Sequence, residues 1–247
     1  MLRVITMTSY RRPAYTREVL ASLAKCDGIA DWLLLPNVEP GNDEVISAFR
    51  EWDACDMRLV VNEKRLGLNR NTHEEVFRAF KLRADVTLHL EDDTIPSPDA
   101  LHYFDWAVRD LLIPDVKSSD GCQILLASGY NKPRREPPPH RSHDCETRPI
   151  WTPWGWAVDR SRLTWLIVNW CFRNRKCFTC QFRSQYRRTR REVFPILSRV
   201  QNIGYELGEN NRTPQWYMAN HRTPWISTAV DEQRFRLHSY SAEGRPL

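Results

Sequence analysis

Four times in its first half the chain passes from a short apolar run to a stretch with helical spacing, and that alternation leaves few folds open. Strand-like runs fall at residues 2–8, 32–38, 58–61 and 86–90, and helix-like stretches at 14–25, 43–52, 71–82 and 98–112. Val19, Leu20 and Leu23 share one helix face, Val76, Phe77 and Phe80 another, and Leu101, Phe104, Val108 and Leu111 a third. This order predicts an α/β fold, a mainly parallel sheet with helices on both faces. A dinucleotide-binding fold is the rival, but the first turn, SYRRPAY, has no glycine fingerprint for a pyrophosphate. The run at 123–127 is expected to close the nucleotide-binding half, dividing one body into 1–128 and 129–247.

The second half reads differently. Residues 131–148 combine Pro133, Pro137 to Pro139 and charges of both signs, the pattern of an extended loop. WTPWGWAVD then predicts a strand entering a helix that Asp159 caps. Residues 176–191 are helix-compatible, and beyond Ser198 the polar, Gly- and Pro-containing sequence predicts a tail wrapped over the body. Arg134, Arg135, Arg187, Arg188, Arg190 and Arg191 concentrate positive charge beyond what the net +5 suggests. The alternative for that run is a solvated helix face.

The strand at 85–90 (DVTLHL) ends in Glu91, Asp92 and Asp93. Three adjacent carboxylates repel one another, and a solvated turn is the simplest explanation. They also suit a hard divalent cation, Mn²⁺ or Mg²⁺, with coordination positions left for phosphate oxygens. The carboxyl ends of strands are where open α/β sheets bind ligands.

Five segments, TMTSYRRPAYTREVLASL, VNEKRLGLNRNT, LHLEDDTIPSPDALHYF, WTPWGWAVDRSRL and PILSRVQNIG, occur in one order across most of residues 2–204. Together they resemble nucleotide-sugar glycosyltransferases of the GT-A fold, especially family-2-like enzymes and the N-acetylglucosaminyltransferase I group. The resemblance implies a Rossmann-like GT-A body, a C-terminal acceptor-side part with a wrapped tail, and a UDP-sugar donor. It implies nucleotide contacts at Thr8, Ser9, Tyr10, Arg11, Glu39, Asn62, Gly67 and Asn71. Glu91 and Asp92 would lie around ribose and metal, Asp93 would bind the metal, and His221 would be a second ligand. Trp154, Gly155 and Trp156 would face sugar and acceptor, while Ser198 and Arg199 would fix the loop that closes the tail over the diphosphate.

One departure concerns the base that deprotonates the acceptor. Inverting relatives carry an aromatic-Asp pair where this chain has Cys177-Phe178-Thr179-Cys180-Gln181, without a carboxylate. Asp144, Glu146 or Asp159 is then the candidate base; otherwise the mechanism is retaining, or the chain is a non-catalytic nucleotide or nucleic-acid binding module. Basic segments flanking the tryptophans raise a DNA acceptor, such as a hydroxymethylated pyrimidine, against a saccharide or lipid-linked acceptor. Seven cysteines without a repeating framework fit reduced thiols, and Cys177-x-x-Cys180 is a weak zinc signal. No signal peptide precedes LRVITMTS, and the apolar run 163–172 is too short for a bilayer. A soluble, cytoplasmic protein is expected.

Overall fold

The computed structural model describes residues 1–149, 151–172, 188–205, 213–220, 222–228 and 235–238. In chain order its strands are β1 (Arg3–Ser9), β2 (Trp32–Val38), β3 (Asp56–Met57), β4 (Val60–Val61), β5 (Val86–Glu91), β6 (Thr94–Pro96), β7 (Gln123–Ser128), β8 (Asp144–Arg148), β9 (Trp156–Asp159), β10 (Arg190–Pro195), β11 (Val200–Asn202) and β12 (Arg236–Leu237). The helices are α1 (Pro13–Leu23), α2 (Asp43–Arg50), α3 (Leu68–Lys81), α4 (Ala100–Trp106), α5 (Arg160–Val168) and α6 (Pro214–Asn220).

Every residue of β1 after Arg3 is buried, because helices cover both of its faces and leave no side for solvent. It pairs in parallel with β2 and β5. The main sheet runs β12-β8-β10-β7-β9-β5-β1-β2-β3, with β4 also on β2. β9 is antiparallel to both β5 and β7, so β7 regains the direction of β5, and β10 follows β7 in parallel. As a result Ser9, Val38, Glu91, Ser128 and Pro195 all end at one edge.

Helix starts follow from local chemistry. Pro13 opens α1, where its missing N–H costs no helical bond. Asn42 Oδ1 accepts from Val45 N at 3.0 Å at the head of α2. Asp159 caps α5, accepting from Ser161 N and Arg162 N at 3.3 and 3.2 Å. One core holds Leu20, Leu23, Phe49, Leu101 and Phe104, and a second holds Val76, Ala79, Leu163 and Leu166. Each large side chain sequestered there contributes about 1.5–3 kcal/mol through removal from water.

Two expectations need correction, and a third gains detail. The segment 131–148 is not loop throughout: Asp144–Arg148 forms β8, antiparallel to β10. Its pairing with β10, from Arg148 opposite Glu192 to Cys145 opposite Pro195, outweighs the Pro-rich composition just before it. Arg190 and Arg191 begin a strand rather than extend a helix, while 173–187, including Arg187, Cys177 and Cys180, lie outside the described residues. The tail contains structure of its own, since β11 pairs with β6, β12 pairs with β8, and residues 214–220 are helical.

Candidate active site

Each acid of the triplet enters a different environment. Asp92 Oδ2 accepts from Ser9 Oγ at 3.1 Å and Tyr10 N at 3.3 Å, joining the ends of β5 and β1. Arg12, the residue before α1, directs one guanidinium nitrogen to Asp92 Oδ1 and the other to Asp93 Oδ2, the latter at 2.5 Å. Asn202 Nδ2 donates to Asp93 Oδ1 at 2.9 Å, and Ile203 N donates to the Asp93 carbonyl at 2.7 Å. Burial, reinforced by the neighbouring carboxylates, pushes Glu91 up to about 8 and raises Asp93 as well.

The tail covers this corner closely. A Cβ on Gly204 would stand 1.9 Å from Asp93 Oδ2 and 2.9 Å from Arg12 Nη1, so only glycine allows the backbone to lie there. Tyr217 of α6 donates to the Asn202 carbonyl and holds that backbone from above.

Beside the triplet, Glu39 and the loop before α3 form a closed polar network. Glu39 is buried and accepts from Leu66 N at 3.0 Å, Gly67 N at 2.6 Å and Asn62 Nδ2 at 3.1 Å. Asn71 Oδ1 accepts from Asn37 and Asn62, each at 2.7 Å. Gly67 has φ +79°, a conformation that favours glycine. Glu39 thus shapes the loop with hydrogen bonds that a ligand-facing carboxylate would have kept for the ligand. Tyr10 lies between two guanidiniums, Arg11 at 4.9 Å and Arg65 at 4.6 Å from its ring centre. Thr8 is buried opposite Glu91 in the β1–β5 register.

The acceptor-side candidates spread more widely. Gly155 has φ +61° and packs on Val200, and Trp154 meets Tyr130 edge-on at 4.9 Å. Trp156 is fully buried against His89 and Trp151, so it offers no open face to a sugar or a base. Ser198 Oγ donates to Val200 O at 2.8 Å and accepts from Asn131 N at 3.1 Å. Arg199 is fully buried, bonds Asp99 at 2.9 Å and lies over the Phe235 ring of the tail.

Among the candidate bases, Asp159 pairs opposite Val86, at the end of β5 remote from Glu91, and is committed to capping α5. Asp144 is buried and bonded by Arg141, Arg236 and His238, which hold its carboxyl below the usual range. Glu146 keeps 29% of its side chain exposed, with Arg141 at 3.6 Å. Arg190 and Arg191 lie beside Gln123 and Asp120 at the start of β7, on the opposite edge from the triplet. Arg134 and Arg135 are exposed on the segment after β7, Arg188 is exposed ahead of β10, and His221 lies outside the described residues.

Sequence reasoning missed Arg12, Asn202, Gly204 and Tyr217. Arg12 had a usable signal: it is the last residue before the Pro that starts α1, a position held at the carboxyl edge of the sheet.

No protein-family model and no curated protein matches the chain. Among solved structures, S. aureus TarS superposes with a TM-score of 0.55 at 11% identity, over 80% of this chain and 37% of that one. TarS 1–349 with UDP gives 0.55 at 12% identity, over 78% of this chain and 60% of that one. The chain shares its fold with these structures. TarS 1–349 with UDP-GlcNAc gives 0.51 at 11% identity, over 78% of this chain and 58% of that one. A Pyrobaculum calidifontis mannosyltransferase, determined with GDP-Man and Mn²⁺, gives 0.48 at 18% identity, over 66% of this chain and 46% of that one. The chain spans less than two thirds of the length of each. Among the described residues no helix is long and apolar enough to cross a membrane.

Proposed function

We propose that this chain is a glycosyltransferase that moves a sugar from a UDP-sugar to a hydroxyl acceptor with the help of Mn²⁺ or Mg²⁺. The observation that carries this reading is the convergence of Asp92 and Asp93 on one positive charge at the carboxyl edge of a sheet whose fold is shared with TarS. The UDP and UDP-GlcNAc complexes of TarS support the choice of donor.

The residues present fit a hard divalent ion. Two carboxylates are already oriented around a cation, and Mg²⁺ is commonly held by one or two carboxylates plus substrate phosphates. Asp93 and Asp92 would hold the ion, which when bound would neutralise the diphosphate as the sugar departs. The bond from the anomeric carbon to the diphosphate oxygen breaks, and its electron pair leaves with UDP. The acceptor oxygen bonds to that carbon and releases its proton to a base. Tyr10, flanked by Arg11 and Arg65, forms the cationic and aromatic wall for the nucleotide. The network of Glu39, Asn62, Gly67 and Asn71 keeps the facing loop in place.

For the acceptor we take a saccharide or lipid-linked hydroxyl. Arg134 and Arg135 favour a hydroxymethylated pyrimidine in DNA, but Arg190 and Arg191 face the other edge and Trp156 is buried. The test is UDP release from a panel of UDP-sugars with Mn²⁺, with saccharide acceptors in one arm and hydroxymethylcytosine DNA in another. Asp93→Asn should lower turnover at least about 100-fold, the scale of losing a charge-stabilising group. Nucleotide binding without turnover would indicate a binding module, and neither binding nor turnover would overturn the donor reading.

A further inference from the structure

The guanidinium of Arg12 differs from the other buried arginines in what holds it. Arg199 bonds Asp99 and also the carbonyls of Leu197 and Ser142. Arg162 bonds Asp159 and Asp115 and also the carbonyls of Ile124 and Leu112. Arg148 bonds Glu192, the Tyr130 carbonyl and Thr152. These three tie distant backbone segments together. Among the described residues the Arg12 guanidinium hydrogen-bonds two carboxylates alone, Asp92 and Asp93, and touches no carbonyl. It also lies over the Tyr15 ring, 5.7 Å away, and beside the Gly204 backbone, and 17% of its side chain remains exposed. Its hydrogen bonds are thus all to carboxylates, and a stronger charge at the same place competes for each of them.

We infer that Arg12 is a resident cation exchanged for the metal–donor pair. Without donor its guanidinium occupies the place between Asp92 and Asp93. When a divalent ion and UDP arrive, it turns outward onto the diphosphate. The inference rests on the donor reading above and adds the residue that couples ion binding to nucleotide binding. A dication and a guanidinium cannot share two carboxylates without strong repulsion, so the ion alone must expel Arg12 into solvent. The diphosphate gives the released guanidinium a new anionic partner, suited to its planar fork of donors. Ion and nucleotide should accordingly bind with positive coupling, and the same coupling must appear from either side.

The test measures Mn²⁺ binding to the full chain from the electron spin resonance signal of free Mn²⁺, with and without UDP, alongside UDP titration by calorimetry. In the wild type UDP should tighten Mn²⁺ binding at least tenfold. Arg12→Gln, which removes the resident charge, should bind Mn²⁺ alone at least tenfold tighter than wild type and lose most of the UDP effect. Arg12→Lys serves if the glutamine variant does not fold. A point charge that cannot bridge both carboxylates should give Mn²⁺ affinity at least threefold above wild type. Equal Mn²⁺ affinity in the folded variant and the wild type, with UDP still bound, overturns the exchange and leaves the donor reading standing. A wild type that binds Mn²⁺ but not UDP overturns the donor reading instead, and the exchange with it.

Discussion

Asp93 and Glu75 are both buried carboxylates near β5, yet the protein treats them in opposite ways. Asp93, just past the strand end, has one oxygen on Arg12, the other on Asn202, and its backbone carbonyl on Ile203 N. Glu75, on α3 over the middle of the same strand, has neither oxygen hydrogen-bonded among the described residues, and His89 Nδ1 is 3.8 Å away. The first arrangement gives the group hydrogen-bond partners drawn from far along the chain, although burial raises its pKa as well. The second sheds its charge, since burial pushes Glu75 well above the usual range and Arg78 offsets only part of that. A carboxylate with removable partners is suited to exchanging them, and one without partners is suited to remaining a neutral acid. The position of an acid relative to the sheet edge, rather than its burial, separates a site from a core residue here.

The comparison breaks most sharply if Asp93 loses its partners while Glu75 is untouched. Gly204→Ala does this, because the new methyl would lie 1.9 Å from Asp93 Oδ2 and 2.7 Å from its Cγ. Asp93 would have to swing away from Arg12 and Asn202, or the segment 202–204 would have to lift. We expect a stability loss of about 1–3 kcal/mol, the usual cost of overpacking, read as a lower urea midpoint. Weaker UDP binding should accompany it. A variant with wild-type midpoint and UDP affinity would show that the tail does not bear on the triplet.

Glu75 supplies the second, smaller effect, and its direction is fixed by proton linkage. The folded protein keeps the Glu75 proton at pH values where the unfolded chain, near the ordinary value of 4.5, has lost it. Stability from this group is complete below that value and declines as pH rises toward the folded-state value, by about 1.4 kcal/mol per unit. His89 acts in the other direction. Burial lowers it to about 3, so stability erodes as pH falls below its ordinary 6.5. Glu75→Gln keeps the shape of the neutral acid and removes the titration. The stability difference between variant and wild type should shift in favour of the variant from pH 5 to pH 8. Parallel pH profiles would mean that Glu75 is already ionised in the fold.

Much of the N-terminal half was legible because local signals and tertiary placement agree there. The run VTLHL followed by three acids marked a strand and its end, and β5 spans Val86–Glu91. The C-terminal half was less legible because its structure comes from pairing between remote segments. The strand of β8 exists through β10, which starts more than forty residues later in the sequence. Asn202 and Gly204 become site residues only because β11 pairs with β6 and brings them onto Asp93. Arg190 and Arg191 mislead for the same reason: their charge is plain in the sequence, but the direction of β10 sends them to the far edge.

That far edge offers the smallest effect and the control for the other two. Asp120 is also met by an arginine, Arg191, through two hydrogen bonds to the same oxygen. It differs from Asp93 in exposure, with 48% of its side chain reached by solvent. Water competes for that charge, and exposed ion pairs contribute about 0–1 kcal/mol. Nearby hydrogen bonds and the arginine hold Asp120 at about 2, below its ordinary 3.8. Arg191→Ser should therefore shift the urea midpoint by no more than about 0.5 kcal/mol equivalent, with a smaller shift at 1 M salt, where the Debye length is about 3 Å. UDP-sugar turnover and Mn²⁺ binding should be unchanged, because the residue lies across the sheet from the triplet. A loss of turnover as large as that expected for Asp93→Asn would mean that β10 carries an acceptor contact to this edge, and the separation between the two edges would fail.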